Sequence, residues 1–274
     1  MTIEKKFDEQ VKEGTRFNFG KNWNAFLANL DDERIRVAED SLKEMLECEG
    51  LENETFLDIG CGSGLFSLAA RNLNAEVYSM DFDPNSVACA RYLKEKYHPK
   101  SIWKIEEGSV LDAEYIGSLG KHDVVYSWGV LHHTGNMMLA LENATLPVKS
   151  GGKLFIGIYN DGRLSKFWLR VKKIYNKNIL GKALIVSVFV PYYFMRNFLP
   201  DIFRLKNPFK RYEEYKQRRG MSIVHDWYDW LGGLPFEVAT PELIVDFYKE
   251  RGFQLEKIRV VNTKGINEFV FRRK

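Results

Sequence analysis

Between residues 54 and 160 the chain alternates two hydrophobic periods. Short runs of apolar and β-branched residues stand at 56–59, 76–80, 102–106, 123–127 and 153–158, and the gaps between them carry apolar side chains at helical spacing, notably over 86–97 and 137–146. Strands alternating with helices predict a mostly parallel sheet covered by helices on both faces, an α/β architecture. Over residues 162–239 the alternation stops. That stretch has no clear strand, many aromatics and a basic run, and it reads as an inserted, largely helical lid. The pattern resumes at Thr240 and Pro241, an N-cap followed by proline at the first helical position, and this helix runs to about Arg251 and stops at Gly252. Residues 254–261 and 266–272 close the sheet as a hairpin-like pair, which makes seven strands in all.

Upstream, residues 31–49 place Ile35, Ala38, Leu42, Met45 and Leu46 on one helical face, and the segment from Arg16 to Trp23 is dense in aromatics and amides, which reads as a packing plug or, with Arg16 and Asn22, as a flap over a pocket. The expected organisation is a helical cap over 1–50, a core formed by 51–161 and 240–274, and the inserted lid over 162–239.

Composition narrows the picture only slightly. The 274 residues are 45% hydrophobic and 28% charged with a net charge of +3, an ordinary globular balance too near neutral to indicate nucleic acid. Cys48, Cys61 and Cys89 are widely spaced and read as free thiols of a reducing cytoplasm. The charged N-terminus has no apolar signal core, so a cytoplasmic location is expected. The apolar run over 183–195 is shorter than the roughly 20 residues of a membrane span, and Pro191 interrupts it. No transmembrane segment is expected there. The run reads as a buried helix or lid element, with an interfacial contact to membrane or a greasy substrate as the alternative. A second copy of the chain, as a homodimer, is a candidate partner.

The chemistry centres on residues 55–68, TFLDIGCGSGLFSL. Gly60, Gly62 and Gly64 make a turn between strand and helix, where a ligand meets bare backbone at the positive helix end. The spacing is Gly-x-Gly-x-Gly, not the Gly-x-Gly-x-x-Gly of dinucleotide folds, and alone it is weak, since any strand–turn–helix unit needs a tight turn. Asp58 precedes the first glycine. Asp81 ends the second strand about 20 residues beyond the loop, where a carboxylate accepts both hydroxyls of a ribose. Asp83 and Pro84 read as the start of the next helix. Ser127, Trp128, Gly129, Val130, Leu131, His132 and His133 follow the fourth strand, at the crevice where open α/β sheets bind ligands.

Taken together these segments resemble the class I S-adenosylmethionine-dependent methyltransferases, in particular the small-molecule branch of ubiquinone-biosynthesis type. The resemblance covers 54–160 strongly, 240–274 as architecture only and the insert hardly at all. It implies a Rossmann-like fold with S-adenosyl-L-methionine as cofactor and S-adenosyl-L-homocysteine as product. It implies cofactor contacts from Asp58, Gly60, Cys61 and Gly62, from Asp81 with Phe82, from Ser109, Val110 and Asp112, and from Ser127 and Trp128. The family usually has an acid directly after the glycine at 108. Here Ser109 stands in that place, so its hydroxyl, the Val110 amide or Asp112 would substitute, and Asp112 reads equally as a helix cap. Trp128 either walls the cofactor or packs helix on sheet.

Methyl transfer from a sulfonium displaces a neutral thioether, so the protein must chiefly align the partners and exclude water. A base of near-neutral pKa helps when the acceptor is a hydroxyl or a protonated amine. His132 and His133 are the catalytic candidates, as base or as orienting group. Tyr159, Asn160 and Trp23 are candidate acceptor contacts, and Arg218 and Arg219 beside Gly220 suit a carboxylate or phosphate on the substrate. The aromatic–acid block from His225 to Glu237 ends its helix-like part in Gly232-Gly233, a candidate hinge. His225, Asp226 and Asp229 have no specific metal spacing, and no metal is expected. The expected function is methylation of a small acceptor bearing an acidic group. The alternatives are an RNA-modifying enzyme using the basic insert, including Lys166, Arg170, Lys172 and Lys173, or a cofactor-binding protein without transfer; the insert's acids and the modest net charge argue against nucleic acid.

Overall fold

The computed structural model describes residues 3–28, 30–203, 223–261 and 265–274. Seven strands form one sheet: β1 (Thr55–Ile59), β2 (Glu76–Asp81), β3 (Trp103–Glu107), β4 (His122–Trp128), β5 (Val148–Tyr159), β6 (Phe253–Arg259) and β7 (Ile266–Arg273). Their order is β3-β2-β1-β4-β5-β7-β6. β1 to β5 pair in parallel, and β7 is antiparallel to both β5 and β6. Strand order reverses between β1 and β4, so the crevice beyond their carboxyl ends is the switch point of the sheet.

The helices are α1 (Ile3–Lys12), α2 (Gly20–Leu27), α3 (Asp32–Leu46), α4 (Leu65–Asn72), α5 (Pro84–Tyr97), α6 (Ala113–Ser118), α7 (Met137–Asn143), α8 (Ser165–Lys177), α9 (Ile179–Phe203), α10 (Ile223–Gly232) and α11 (Pro241–Lys249). Their starts follow capping chemistry: Asp31, Asp83, Asp112, Asn136 and Thr240 each accept a backbone N–H in the first turn of the helix that follows. α7 is shorter than its hydrophobic spacing suggests. Pro147 disfavours the helical conformation at Leu146, and the chain turns directly into β5.

Alternation along the strands sorts the core. Leu57, Val125, Leu154 and Ile156 face one side, with Ile244 and Tyr248 of α11. Phe56, Val124, Tyr126 and Phe155 face the other, with Leu42 of α3, Leu68 of α4 and Leu93 of α5. A third cluster belongs to the insert: Trp168, Val171 and Tyr175 of α8 meet Ile185 and Tyr193 of α9 and Trp227 and Leu231 of α10.

Two sequence expectations need correction here. Pro191 does not interrupt the apolar run, because α9 continues through it for 25 residues. A proline costs an internal helix about 3 kcal/mol, and the packing of Ile185 and Tyr193, on either side of it, into the insert cluster holds the helix through that position. The segment Ile179–Arg196 is therefore long and apolar enough to cross a membrane by length and composition, and only 11% of it is buried. Lys172, counted among the basic surface residues, is fully buried: its ammonium donates to the Trp230 carbonyl and lies 4.6 Å from the Trp230 ring centroid.

Candidate functional site

The loop after β1 is built from short side chains and left-handed backbone. Gly60 has φ +79°, and a Cβ there would stand 2.3 Å from Val130; Gly64 has φ +80°, and a Cβ would meet the Ala90 backbone at 2.8 Å. The Gly60 and Cys61 N–H groups donate to the Met80 carbonyl at 2.8 and 3.0 Å, tying the loop to the end of β2. Asp58, opposite Ser79 and Tyr126 in the neighbouring strands, is buried beneath the loop. Ser67 donates to Asp58 at 2.5 Å, Ser79 lies 2.7 Å from Ser67, and the Trp103 indole donates to Ser79 at 2.8 Å. With Asp58 ionised, every proton in that relay points toward its carboxylate. Burial nevertheless pushes Asp58 up to about 7, against the Ser67 bond that pulls it down. The Cys61 thiol is driven upward by burial and by the two nearby carboxylates, so it remains a protonated, unreactive wall.

Asp81 closes the other side of the loop. One carboxylate oxygen accepts from Gly62 N–H at 2.9 Å and the other from Asp83 N–H at 2.8 Å, leaving lone pairs on both for a ligand. Burial pushes Asp81 up to about 6, while those two backbone bonds and the Arg16 charge pull it down. Asp83 caps α5 and also accepts the Gly20 N–H at 2.9 Å, which anchors the N-terminal segment to the rim. From that segment Arg16 lies 4.8 Å over the Phe82 ring and donates to the His133 carbonyl at 3.3 Å. Trp23 lies against Gly62, where a Cβ would approach its ring to 3.3 Å. Phe17 donates its N–H to the Leu234 carbonyl at 2.9 Å, so the same segment also grips the insert.

The loop and its rim border one cavity of about 1200 Å³. Asp58, Gly60, Cys61, Gly62, Asp81, Phe82, Ser109, Val110 and Trp128 line it at the glycine-loop end. Trp128 borders the cavity while its ring lies across Gly157 of the neighbouring strand, where a Cβ would sit 2.6 Å away, and its indole donates to Glu268 of β7 at 2.8 Å. Val110 is held by its carbonyl, which accepts from the buried Asn143 amide at 2.8 Å. Asp112 does not border the cavity; it is exposed and caps α6 through Tyr115 N–H at 3.0 Å. Ser127 is also outside the lining, fully buried, and donates to the Ile59 carbonyl at 2.9 Å to staple β4 to β1.

The far end of the cavity is aromatic. His133, Tyr159, Phe17, Phe19 and Trp230 line it, with His133 5.1 Å from Phe19 and Tyr159 5.6 Å from Trp230 between ring centroids. His133 Nδ1 is 2.5 Å from the Pro235 carbonyl. A carbonyl only accepts, so Nδ1 carries the proton and Nε2 the lone pair. Burial, helped by the nearby cations Lys172 and Arg16, pushes His133 down to about 3 against the Pro235 hydrogen bond that pulls it up. The expected near-neutral base is therefore not what the structure holds. Burial and the adjacent cations keep this imidazole neutral, a hydrogen-bond acceptor rather than a proton carrier. His132 lies outside the cavity lining. Its Nδ1 accepts from the Tyr159 backbone at 3.3 Å, its ring stacks 4.0 Å from Tyr159, and its own charged form is strongly disfavoured by burial. Asn160 is likewise outside the lining, turned instead to Val261 and Asn267 in a hydrogen-bonded link that secures the end of β7. Arg218 and Arg219 lie outside the described residues, as do the side chains of His225, Asp226 and Asp229.

Arg16 borders the cavity, in the segment whose aromatic and amide mix suits a flap over a pocket; among the lining residues the sequence did not single out, Tyr126 and Arg196 stand out. Tyr126 reads in sequence as a strand core residue, yet its buried hydroxyl borders the cavity and lacks a hydrogen-bond partner.

Residues 57–154 match the family model described as a methyltransferase domain. A ribosomal protein L11 methyltransferase from Cupriavidus taiwanensis is 35% identical over 114 residues, 41% of this chain and 35% of the relative. A ubiquinone biosynthesis O-methyltransferase from Pelagibacter ubique is 25% identical over 138 residues, 49% of this chain and 55% of the relative. The chain thus spans about a third of the length of the L11-type relatives it matches. Among solved structures, the magnesium protoporphyrin IX methyltransferase of Synechocystis PCC 6803 with bound SAH aligns with TM-score 0.53 at 11% identity, covering 88% of this chain and 84% of that one. At that identity the likeness concerns the fold.

Proposed function

We propose that this chain, a class I S-adenosylmethionine-dependent methyltransferase by its matched core, passes the cofactor's methyl group to a small acceptor that carries an acidic group. One observation carries the reading: a single cavity runs from the glycine loop and Asp81 to the aromatic end at His133 and Tyr159, and its volume of about 1200 Å³ exceeds the ~300–1,000 Å³ typical of a one-ligand pocket. There is room for cofactor and acceptor end to end. The residues fit the cofactor. Asp81 retains lone pairs for the ribose hydroxyls, the Phe82 ring and the Val110 side chain offer apolar contact for the base, and Asp58 with the loop backbone faces the amino-acid tail. Bound there, the cofactor supplies an electrophilic methyl on a sulfonium whose leaving group is a neutral thioether.

The chain's own contribution is placement and exclusion of water. The neutral His133 accepts a hydrogen bond from an acceptor hydroxyl or amine and fixes its direction, while Tyr159, Phe17 and Phe19 enclose the acceptor's apolar part. Arg16 faces Asp81 and Asp83, Arg34 and Arg259 pair with Asp31, Glu44 and Glu268, and Arg196, on the helix that carries Tyr193, is the candidate cation for an acidic group on the acceptor. The family match ends at residue 154, before Tyr159 and the insert, so the relatives' own acceptors do not carry over. The test is methyl transfer from labelled S-adenosylmethionine to three pools from the same cells: small molecules, proteins and RNA. Label in the small-molecule pool, in an acid-extractable product, is the expected result. Label confined to protein or RNA overturns the acceptor assignment, and no calorimetric uptake of S-adenosylhomocysteine overturns the whole reading.

A further inference from the structure

The α8–α9 hairpin presents a surface that nothing in the chemistry above uses. Along α9, Leu180, Leu184, Val188 and Tyr192 recur every fourth residue and are 76%, 57%, 55% and 53% exposed. Ile179 and Met195 extend the patch at 81% and 54%. On α8, Phe167 and Ile174 are 46% and 43% exposed, and Phe167 reaches Phe189 of α9 at 6.4 Å, so their surface is continuous with that of α9. A contiguous apolar patch of this kind marks an interaction site rather than ordinary scatter.

Its rim decides what covers it. From Gly162 to Pro200 the chain has no Asp or Glu. Lys166, Arg170, Lys173 and Lys177 form one exposed row along α8, joined by the exposed Arg163 and Lys182 at the two ends of the hairpin. An apolar ridge bordered by cations of one sign complements an anionic lipid surface, where each lysine or arginine adds about 1 kcal/mol of attraction. A second copy of the chain would bring the same cations against each other. The inner face of α9 is already occupied: Ile185 and Tyr193 pack with Trp168 and Trp227, and Tyr193 and Arg196 border the cavity. The helix therefore has one face committed to protein, the geometry of an element lying on a bilayer rather than crossing it.

We propose that the α8–α9 hairpin seats the protein on an anionic membrane surface, with α9 embedded along its outer face and the α8 cations at the headgroups. The same helix then has lipid outside and the cavity inside. The seating rests on the hairpin surface alone; only its consequence for the acceptor rests on the methyltransferase reading.

Flotation with phosphatidylcholine vesicles, with and without phosphatidylglycerol, tests it. The full chain should float with the anionic vesicles and remain below with the neutral ones, and added salt should release it. The triple variant K166Q/R170Q/K173Q should bind anionic vesicles on the order of a hundredfold more weakly. L184S/V188S should lose them as well, while both variants keep wild-type affinity for S-adenosylhomocysteine in calorimetry, which certifies their fold. Three results overturn the proposal: failure of the wild-type chain to float with either vesicle; binding indifferent to lipid charge and resistant to alkaline extraction, as a spanning helix would be; or a dimer that L184S/V188S converts to monomer while flotation is unchanged.

Discussion

The two ends of the cavity are built by different means. At the glycine-loop end, the polar contacts around Asp58 and Asp81 are made by backbone N–H groups and short side chains, set by the registers of adjacent parallel strands and by the turn at Gly60. At the aromatic end the walls come from five stretches far apart in sequence: Phe17 and Phe19, His133, Tyr159, Tyr193 with Arg196, and Trp230. The contrast suits the proposed task. A fixed nucleoside wants a rigid, backbone-defined cradle, whereas an acceptor wants a surface that can be re-lined without disturbing the sheet.

That contrast can be broken by experiment. Gly60→Ala places a Cβ against Val130 and holds alanine in left-handed backbone, and it should destabilise the chain by about 2–4 kcal/mol in urea unfolding. A neutral result would mean the turn is less constrained than its geometry. Asp81→Ala should weaken S-adenosylhomocysteine binding by about 1.5–3 kcal/mol, roughly ten- to a hundredfold, with no change in acceptor selectivity. Unchanged affinity in calorimetry would remove Asp81 from the ribose.

The pH profile sharpens the same point. The ribose hydroxyls donate to the ionised carboxylate of Asp81, which burial holds at about 6. Through Asp81, affinity for the cofactor should be halved at about pH 6 and fall about tenfold, some 1.4 kcal/mol, for each unit well below it, as protons compete for the site. Asp81→Asn should remove that step and leave only the loss below about pH 7 that Asp58 contributes; an unchanged step near 6 in the variant would place the titration elsewhere. The smallest effect belongs to the aromatic end. Arg196 is exposed enough to be screened, so Arg196→Gln should cost an acidic acceptor only about 0.2–1 kcal/mol, a few-fold rise in its KM, while cofactor affinity stays put. Equal loss of cofactor affinity would show that the two ends are not separable.

Much of the first end could be read before any fold was known. Asp58, the three glycines and Asp81 lie within a short stretch of chain, and their spacing reports a strand, a tight turn and a second strand end. The same local logic located the cap at Asp83, the helix beginning at Thr240 and Pro241, and the paired last strands. Local patterns mislead where a side chain has a second partner. Asp112 and Ser127 stand beside lining residues in sequence, but the first is drawn to Tyr115 N–H and the second to the Ile59 carbonyl. His132 and His133 are adjacent and of the same type, yet on the short helical turn they occupy only His133 reaches the cavity.

The sequence by itself determined the alternation of strand and helix, the turn that strips side chains from the loop, and the carboxylates at the ends of β1 and β2, because those follow from contacts among near neighbours. Tertiary structure alone decided that Arg16 lies over Phe82, that Asp83 holds Gly20, that Lys172 is buried beneath Trp230, and that the imidazole of His133 stays uncharged. Each of those depends on packing by segments some sixty to a hundred residues away, and the exclusion of water is a property of the packed whole that no spacing along the chain records.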